Sequence, residues 1–457
     1  MALPYKGGQR VTILAAHPVG KKMICEDAKH GGRCYVATRP LACGEVVIEE
    51  EPYAMIILEP YRDVACCWCG TLCVGGKVLT LSAEDRYRYC SEACITNDYA
   101  VHQHEVQALK RLPETGSDPS ALVVRVAATR KTEGEKKEDG VMVPVEVCNG
   151  RQNRFAHIML LEAASRHAPE EALDLLQKAS LRLSVICKLG NIPLSQKEAY
   201  HLLLVQQSNA HQIHGDAEEG VPAVALGLFP LTSMLNHSCV PNCAHSFDIR
   251  PGQRPKLVMR TIRACEAGEQ LTYNYCRLYA STHTRRAQLE HCYSFVCDCP
   301  RCSDAESDAY IEGDDGSEEA KAALAAVRES TAQFDDAQRL VDATKRLLSS
   351  GTVAPGHIAV VQAGAMLLRN ANKEVAPAAT AAVACIALAS IHRHVLRHQP
   401  PGSVLDLGEI KTMTKQVASL LKDAALESAE VKEALGTEIG QTELCEGLLL
   451  ARKIVIE

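Results

Sequence analysis

Three cysteines lie within six residues, at Cys297, Cys299 and Cys302, and they constrain the fold of this chain more than any other feature of the sequence. The C-x-C-x2-C spacing lets one tight turn present three sulfurs to a tetrahedral ion such as zinc. A fourth ligand must come from elsewhere in the chain. Cys239 is the best distant candidate, because zinc held there would fix two segments about sixty residues apart. Buried free thiols are the alternative interpretation.

A second cysteine cluster has the C-x2-C and C-x3-C spacings of two zinc knuckles, formed by Cys66 and Cys69 and then by Cys90 and Cys94. This spacing predicts a separate zinc site. Cys67 and Cys73 are spare thiols that could replace a ligand of the first pair. His102 and His104 follow on a predicted helix, where a lone histidine is more often a surface or packing residue than a metal ligand.

The cysteine count and the overall composition indicate the kind of cellular compartment in which these thiols are found. There are 21 cysteines among 457 residues, an odd number that suits thiolates on metal in a reducing compartment better than disulfides. The formal charge is −7, which argues against a general nucleic-acid binder. Residues 1–22 lack the hydrophobic core of a signal peptide, and no uninterrupted apolar run has the length of a membrane span.

Hydrophobic periodicity divides the chain into mixed and helical parts. β-Branched runs between turn signals predict short strands at residues 11–14, 35–38 and 46–48, and strand signals return at 231–275. Ser91 is a candidate N-cap for a helix that extends to Lys110. Helical spacing over residues 154–213 predicts several packed helices, and everything after residue 319 has a helical pattern, including one apolar stripe over residues 407–421.

Four motifs occur in one order and together are highly specific. They are residues 89–94 (YCSEAC), 236–243 (NHSCVPNC) and 268–275 (GEQLTYNY), and Phe295 with the Cys297–Cys299–Cys302 run. In these motifs the chain resembles lysine methyltransferases whose SET domain is split by a MYND zinc finger. The resemblance covers about residues 11–302, and the helical tail is similar to the C-terminal domain of that family only in character.

The resemblance implies an α+β fold class: small SET-type β-sheets split by a MYND-like zinc module and a helical insert, followed by an all-α C-terminal domain. The implied divisions are an N-terminal SET part (1–60), the finger (61–110), a connector with a solvated loop (111–150), the helical insert (151–225), the SET core (226–280), a post-SET zinc segment (281–303), an acidic linker (304–319) and the helical domain (320–457).

The implied activity is transfer of a methyl group from S-adenosylmethionine to the lysine of a protein substrate. By family position Tyr275 is the catalytic phenol and also a cofactor contact. The other implied cofactor contacts are Gly32, Arg33, Asn209, Asn236, His237 and Phe295. Each has a structural alternative, since Asn209 could be a helix-end residue and Phe295 a core residue, and a buried Tyr275 needs a hydrogen-bond partner in any case. His211 and Tyr273 match positions near the wall of the lysine channel.

The sequence departs from the family pattern in two places. The family has Gly-x-Gly-Leu in its cofactor loop, and residues 32–35 here are Gly-Arg-Cys-Tyr, so Cys34 replaces a glycine that permits close approach of the main chain to a ligand. A weak or inactive SET-fold scaffold for protein–protein interaction is therefore the alternative function. The finger also lacks two cysteines between Cys69 and Cys90, and Glu105 and Val106 follow where its last ligand is expected. We therefore expect one finger zinc and about two zincs per chain.

We expect a protein partner with an accessible lysine, no direct nucleic-acid binding, no membrane association and a monomeric state, with cytoplasmic or nuclear residence. A DNA-binding zinc finger is a third and weaker interpretation, because residues 91–105 contain no lysine or arginine.

Overall fold

The computed structural model describes residues 23–27, 33–73, 78–81, 87–111, 120–133, 154–161, 170–214, 223–304, 306, 308–370, 376–397, 399–400, 408–436, 438 and 440–456. The chain forms two compact units. The N-terminal unit contains residues 1–237, 242–273 and 290–295, and the C-terminal unit contains residues 238–241, 274–289 and 296–457. The predicted strand at residues 11–14 and Gly32 lie outside the described residues.

Within the described residues, ten short strands form three small sheets. They are β1 (Met23–Asp27), β2 (Arg33–Ala37), β3 (Val46–Glu50), β4 (Ala54–Ile57), β5 (Ala210–His214), β6 (Ala223–Leu228), β7 (Asn236–His237), β8 (Cys243–Asp248), β9 (Lys256–Thr261) and β10 (Gln270–Tyr273). The strand orders are β1-β2-β10-β7, β3-β9-β8 and β4-β6-β5. All pairs are antiparallel except β10 with β7, which is parallel.

Fourteen helices lie within the described residues. They are α1 (Glu92–Leu109), α2 (Ser120–Glu133), α3 (Arg154–Leu160), α4 (Glu170–Leu189), α5 (Gln196–Asn209), α6 (Thr282–Tyr293), α7 (Ala309–Glu312), α8 (Glu318–Ala332), α9 (Ala337–Ser350), α10 (Ile358–Arg369), α11 (Pro377–Leu396), α12 (Gly408–Asp423), α13 (Ser428–Leu435) and α14 (Gln441–Ile456). The combination of small sheets with many helices confirms the predicted α+β class.

Side-chain caps fix where several helices begin. Ser91 accepts a hydrogen bond from the Cys94 backbone N–H, which confirms the predicted cap of α1. Ser195 and Glu198 form a reciprocal capping box at the start of α5. These caps satisfy backbone donors that a helix leaves without an intrahelical partner, so each helix starts at a defined residue.

The finger segment contacts the β8–β9 hairpin within the N-terminal unit. The Arg254 guanidinium lies 4.7 Å from the centre of the Trp68 ring, and Arg254 also donates a hydrogen bond to the Pro52 carbonyl. A cation over an aromatic face is attracted by the ring quadrupole. This contact therefore holds the first knuckle of the finger against the sheet formed by β3, β9 and β8.

The C-terminal unit is built around α11, which packs against α10, α12, α13 and α14. By length and composition alone α11 is apolar enough to cross a membrane, but 83% of its most apolar window is buried. Burial of this extent is expected of a core helix. A Cβ added at Gly447 of α14 would collide with the Cys385 backbone carbonyl of α11, so only glycine permits this close approach.

Candidate functional site

The post-SET cysteines lie together in the C-terminal unit. The sulfurs of Cys239, Cys297, Cys299 and Cys302, here called the late cluster, all lie within 4.8 Å of one another, and the Cys239 and Cys302 sulfurs are 3.6 Å apart. Four thiolates about 2.3 Å from a tetrahedral zinc are separated by about 3.8 Å. The spacing and the all-sulfur donor set therefore fit zinc.

Two arginines of α6 support the late cluster. Arg285 is fully buried and its Nη2 lies 3.5 Å from the Cys302 sulfur. Arg286 donates hydrogen bonds to the Cys297 and Cys302 carbonyls, at 2.9 and 3.2 Å. The Cys239 thiol, with a contribution from Arg285, lowers the pKa of Cys302 to about 6. Positive charge and hydrogen-bond donors thus favour the thiolate form that a metal needs.

The finger cysteines also lie together, in the N-terminal unit. The sulfurs of Cys66, Cys69, Cys90 and Cys94, here called the finger cluster, lie within 4.8 Å of one another. The Cys69–Cys90 and Cys90–Cys94 sulfur distances are 3.6 and 3.5 Å. The spare thiols Cys67 and Cys73 are not part of this group of four. The Cys66 thiol lowers the pKa of Cys69 to about 4, so this cluster also favours a thiolate.

A buried ionic network lies beside the finger cluster, and the sequence analysis missed it. Arg125 of α2 forms ion pairs with Asp98 and Glu105 of α1, and all three side chains are at most 2% exposed. The Tyr89 hydroxyl donates a 2.8 Å hydrogen bond to Asp98. Burial by itself lowers the pKa of Arg125, but the two carboxylates raise it well above its usual value. The network thus joins α1 to α2 through two ion pairs.

The histidines considered as metal ligands are not in either cluster of sulfurs. His102 is buried, its ring centre lies 4.4 Å from that of Tyr87, and its Nδ1 is 3.9 Å from Glu105. His102 therefore belongs to the surroundings of the ionic network. Glu105, which stands where the last finger ligand was expected, is an ion-pair partner of Arg125.

The candidate cofactor residues Asn236 and His237 form the whole of β7. This strand pairs in parallel with β10, with Asn236 opposite Thr272 and His237 opposite Tyr273. The His237 ring centre lies 5.9 Å from that of Phe295. Asn236, His237 and Phe295 are all half-buried, so they keep surface that a ligand can contact.

Asn209 ends α5 beside the same segments. Its carbonyl accepts a 3.1 Å hydrogen bond from the Ser233 hydroxyl, in the short 3-10 turn before β7. The preceding Ser208 donates a 3.4 Å hydrogen bond to the Cys292 carbonyl, three residues before Phe295. The Asn209 side chain donates to the Val205 carbonyl. The Ser233 and Ser208 hydrogen bonds, together with the His237–Phe295 ring contact, therefore bring the segments carrying Asn209, Asn236–His237 and Phe295 together.

Asn242 is a further organising residue, and the sequence analysis did not single it out. It is 1% exposed, and its side-chain amide donates hydrogen bonds to Glu269 Oε1 at 3.0 Å and to the Gln270 carbonyl at 2.8 Å. Its Oδ1 accepts a 2.8 Å hydrogen bond from the Thr272 backbone N–H. Asn242 thus fixes the entry and course of β10. Its place in the NHSCVPNC motif is the signal that could have revealed it.

A family model described as the SET domain matches residues 32–276, more than half of the chain. The chain belongs to the SET-domain family. This result confirms the SET part of the resemblance.

The SET-domain chain is similar to several curated proteins. It is 28% identical over 306 residues to histone-lysine N-methyltransferase SMYD3 of Homo sapiens, covering 63% of each chain. It is 26% identical over 296 residues to histone-lysine N-methyltransferase ASHR1 of Arabidopsis thaliana, covering 62% of this chain and 56% of the relative. It is 26% identical over 298 residues to SET domain and MYND-type zinc finger protein 6 of Schizosaccharomyces pombe, covering 63% and 52%.

The matches thus span between 52% and 63% of the length of these relatives. A solved structure of the SET domain of LSMT bound to lysine and AdoHcy overlaps 95% of this chain and 88% of its own, with 13% identity and a TM-score of 0.33. A likeness at this level supports no inference about the site.

Arg33, Cys34 and Tyr275 lie in short strands or just after one. Arg33 is the first residue of β2 and pairs through its backbone with Asp27. Cys34, the departure from the glycine loop, is a buried β2 residue that pairs with Glu26. Tyr275 follows the end of β10 by two residues and is half-buried.

Two histidines, the buried His211 and the half-buried His245, lie next to Asn209 in the N-terminal unit. His211 Nδ1 is 3.0 Å from the Asn209 carbonyl, so it carries the proton, and Nε2 then accepts from the Tyr273 hydroxyl at 3.0 Å. His245 contacts both the His211 and the Tyr273 rings edge-on. Burial, reinforced by His245, lowers the pKa of His211 to about 3, and burial lowers that of His245 to about 4. Both rings are therefore neutral near pH 7.

Proposed function

We propose that the chain is an S-adenosylmethionine-dependent protein-lysine N-methyltransferase. The observation that carries this proposal is the convergence of Asn209, Asn236–His237 and Phe295 in the N-terminal unit, with Tyr275 two residues after the strand paired with β7. The names of the SET-domain relatives, histone-lysine N-methyltransferases, also support it.

The residues present fit the chemical groups of the cofactor. Phe295 offers a half-buried aromatic face on which adenine can stack, and Asn236 and His237 offer polar side chains and main-chain groups beside it. Asn209 is proposed to contact the cofactor from the end of α5. Gly32 and Arg33 are also proposed to contact it, Arg33 from the first position of β2. When bound, S-adenosylmethionine supplies an electrophilic methyl group on a sulfonium.

The chain's own residues then have to orient the lysine and keep water out. Methyl transfer is an in-line displacement, so it needs a neutral amine aligned with the methyl group and little acid–base chemistry. Tyr275 is proposed to hold the lysine nitrogen through its phenol oxygen. A desolvated site lowers the pKa of the substrate lysine, which favours the neutral amine.

The two cysteine clusters are proposed to bind one structural zinc each. The finger cluster would hold zinc through Cys66, Cys69, Cys90 and Cys94, and the late cluster through Cys239, Cys297, Cys299 and Cys302. Closed four-sulfur sites stabilise a fold and leave no position for a substrate. Their proposed role is therefore to hold chain segments together.

We further propose a monomer that acts on a protein lysine in the cytoplasm or nucleus without direct nucleic-acid binding or membrane association. The domain divisions from the sequence analysis are proposed as the functional parts, with residues 226–280 as the SET core. A scaffold without turnover is the second candidate, and the buried Cys34 in place of the loop glycine favours it.

The test is methylation of a protein extract with labelled cofactor, comparing the wild type with Tyr275→Phe. We expect the variant to bind S-adenosylmethionine as the wild type does and to lose at least about 100-fold in methyl transfer, because only the reacting end of the site changes. A wild type that binds the cofactor and labels no protein would support the scaffold. Equal turnover in the two proteins would remove Tyr275 from the mechanism.

A further inference from the structure

Helix α4 exposes an unusual amount of apolar side chain. Leu175, Leu181, Val185 and Leu189 are 65%, 52%, 49% and 64% exposed, and they are four of the nine exposed large apolar residues in the described part of the chain. Scattered apolar residues are normal on a protein surface, but a contiguous group marks an interaction site. Four on one helix therefore need an explanation.

Three of the four side chains form a single stripe. Leu181, Val185 and Leu189 are spaced by four residues and lie on one face of the helix, whereas Leu175 lies eleven residues before the buried Ile186 and is aligned with it along the helix. The buried residues of α4 lie elsewhere on the helix and include Leu183, Ile186 and Cys187. One side of α4 is therefore buried in the protein core, and the stripe is a second, exposed apolar face.

The polar residues beside the stripe have one sign of charge. From Leu175 to Leu189 the other exposed residues of α4 are Gln177, Lys178, Arg182 and Lys188, and no acidic residue lies in this stretch. Lys178 pairs with Asp174 at 2.6 Å. No carboxylate of the described residues lies within ion-pair distance of Arg182 or Lys188. The exposed face is therefore apolar and basic.

A groove adjoins the stripe at its C-terminal end. A cavity of about 440 Å³ is lined by residues of α4 and of the segment that follows it, including Val185, Lys188, Ile192, Pro193 and Leu194. Val185 belongs to both the stripe and the groove, and Lys188, which lies beside the stripe, also lines the groove. The surface is therefore concave at one end, which suits an inserted apolar side chain better than the flat surface of a bilayer.

We propose that this α4 face binds an amphipathic helix of a partner protein whose apolar residues are bordered by aspartate and glutamate. Its apolar side chains cover the stripe and one of them enters the groove, as in other helix-in-groove complexes. Its carboxylates pair with Arg182 and Lys188, so charge complementarity selects the partner. This binding is independent of methyl transfer.

The test starts from a display library of random 16-residue peptides selected on the full-length zinc-loaded protein, with counter-selection on Val185→Glu/Leu189→Glu. We expect the selected peptides to contain apolar residues at i, i+3 and i+4 spacing with an excess of acidic over basic residues. One selected peptide is then synthesised with a fluorescent label, and its affinity is measured by anisotropy.

The expected pattern is at least a tenfold loss of affinity in Val185→Glu and a smaller loss in Arg182→Glu, with wild-type affinity in the control Leu449→Glu, which alters an equally exposed leucine on α14. Unchanged unfolding midpoints show that the variants are folded. The proposal is overturned if selection yields no such peptides or if Val185→Glu and Arg182→Glu bind the selected peptide with wild-type affinity. It is also overturned if only phosphatidylserine vesicles, and no peptide, bind the wild type and fail to bind Val185→Glu.

Discussion

The finger cluster and the late cluster each consist of four cysteine sulfurs, but the residues around the two clusters differ. The finger cluster draws its sulfurs from residues 66–94, and the nearby helices α1 and α2 are also joined by the Arg125 network. The late cluster joins Cys239 to residues 297–302, and its buried arginine contacts a sulfur directly. The proposed finger zinc is therefore one of two links in that region, beside the Arg125 network, whereas the proposed late-cluster zinc and Arg285 act at the same sulfurs.

The two clusters also differ in what lies next to them along the chain. Cys239 follows His237 by two residues, and Cys297 follows Phe295 by two residues. The two residues whose rings meet in the candidate cofactor site are thus each tethered to a late-cluster ligand. None of the finger cysteines lies within two residues of a candidate cofactor residue. We therefore expect cofactor binding to depend on the late cluster far more than on the finger cluster.

The largest effect is expected from Cys239→Ser. It should reduce the zinc content from about two to about one per chain, lower the free energy of unfolding by about 5 kcal/mol or more, and weaken S-adenosylmethionine binding at least tenfold, because closed zinc sites contribute directly to folding. Metal analysis, denaturant unfolding and calorimetry measure the three effects.

Two matched variants test the specificity of that result. Cys94→Ser should also lose one zinc, but its cofactor affinity should stay within about threefold of the wild type. Cys43→Ser changes an exposed cysteine outside both clusters and should keep both zincs. Equal loss of cofactor binding in Cys239→Ser and Cys94→Ser would remove the proposed difference between the clusters.

The next largest effect is expected from Arg125→Met. It leaves the Asp98 and Glu105 carboxylates buried without their cation, which should cost about 3–5 kcal/mol of unfolding free energy while the zinc content stays near two. Combining it with Asp98→Leu and Glu105→Leu should recover most of the loss, since no buried charge remains. If denaturant unfolding shows that Arg125→Met alone is as stable as the wild type, the Arg125 network does not stabilise the α1–α2 pair.

A smaller effect is expected from Arg285→Met. The substitution removes the guanidinium from the Cys302 sulfur, so the late cluster should release zinc at a pH about one unit higher, equivalent to about 1.4 kcal/mol. A zinc-sensitive dye followed during acid titration measures the release. Arg286→Met, which loses hydrogen bonds to carbonyls only, should shift the release less, and an equal shift would argue against a role for the sulfur contact.

The last effect is absent at neutral pH, appears only in acid, and sets the background for that titration. His211 has a folded pKa of about 3 and an unfolded pKa near 6.5, so the unfolded chain binds more protons between these values. Its contribution to stability is complete above pH 6.5 and decreases as the pH falls towards 3, by up to about 1.4 kcal/mol per pH unit. His211→Phe should flatten the unfolding free energy in this window. A slope in His211→Phe equal to that of the wild type would contradict this assignment.

Local features of the fold could be predicted because their signals are short-range. Ser91 begins α1 as its capping chemistry indicates, and the apolar stripe at residues 407–421 corresponds to α12, where Met413 and Val417 are buried. The cysteine spacings identified two groups whose sulfurs the structure brings together. In each case the residues that interact are close in sequence or have a rare side-chain chemistry.

Other features could not be predicted because their partners are distant and leave no periodic pattern. Arg125 lies 20 and 27 residues from its two carboxylates and on another helix. The His211–Tyr273 hydrogen bond spans 62 residues. The acidic composition of residues 304–319 predicts a linker, and α7 lies within this stretch with Ile311 buried, since one apolar residue among acids carries little signal.

Calorimetric titration of the zinc-loaded chain with S-adenosylmethionine tests the central claim most directly. The account predicts saturable binding with a stoichiometry near one, retained in Tyr275→Phe and weakened in Cys239→Ser. A correctly folded wild type with two zincs that binds no cofactor would contradict the proposed methyltransferase.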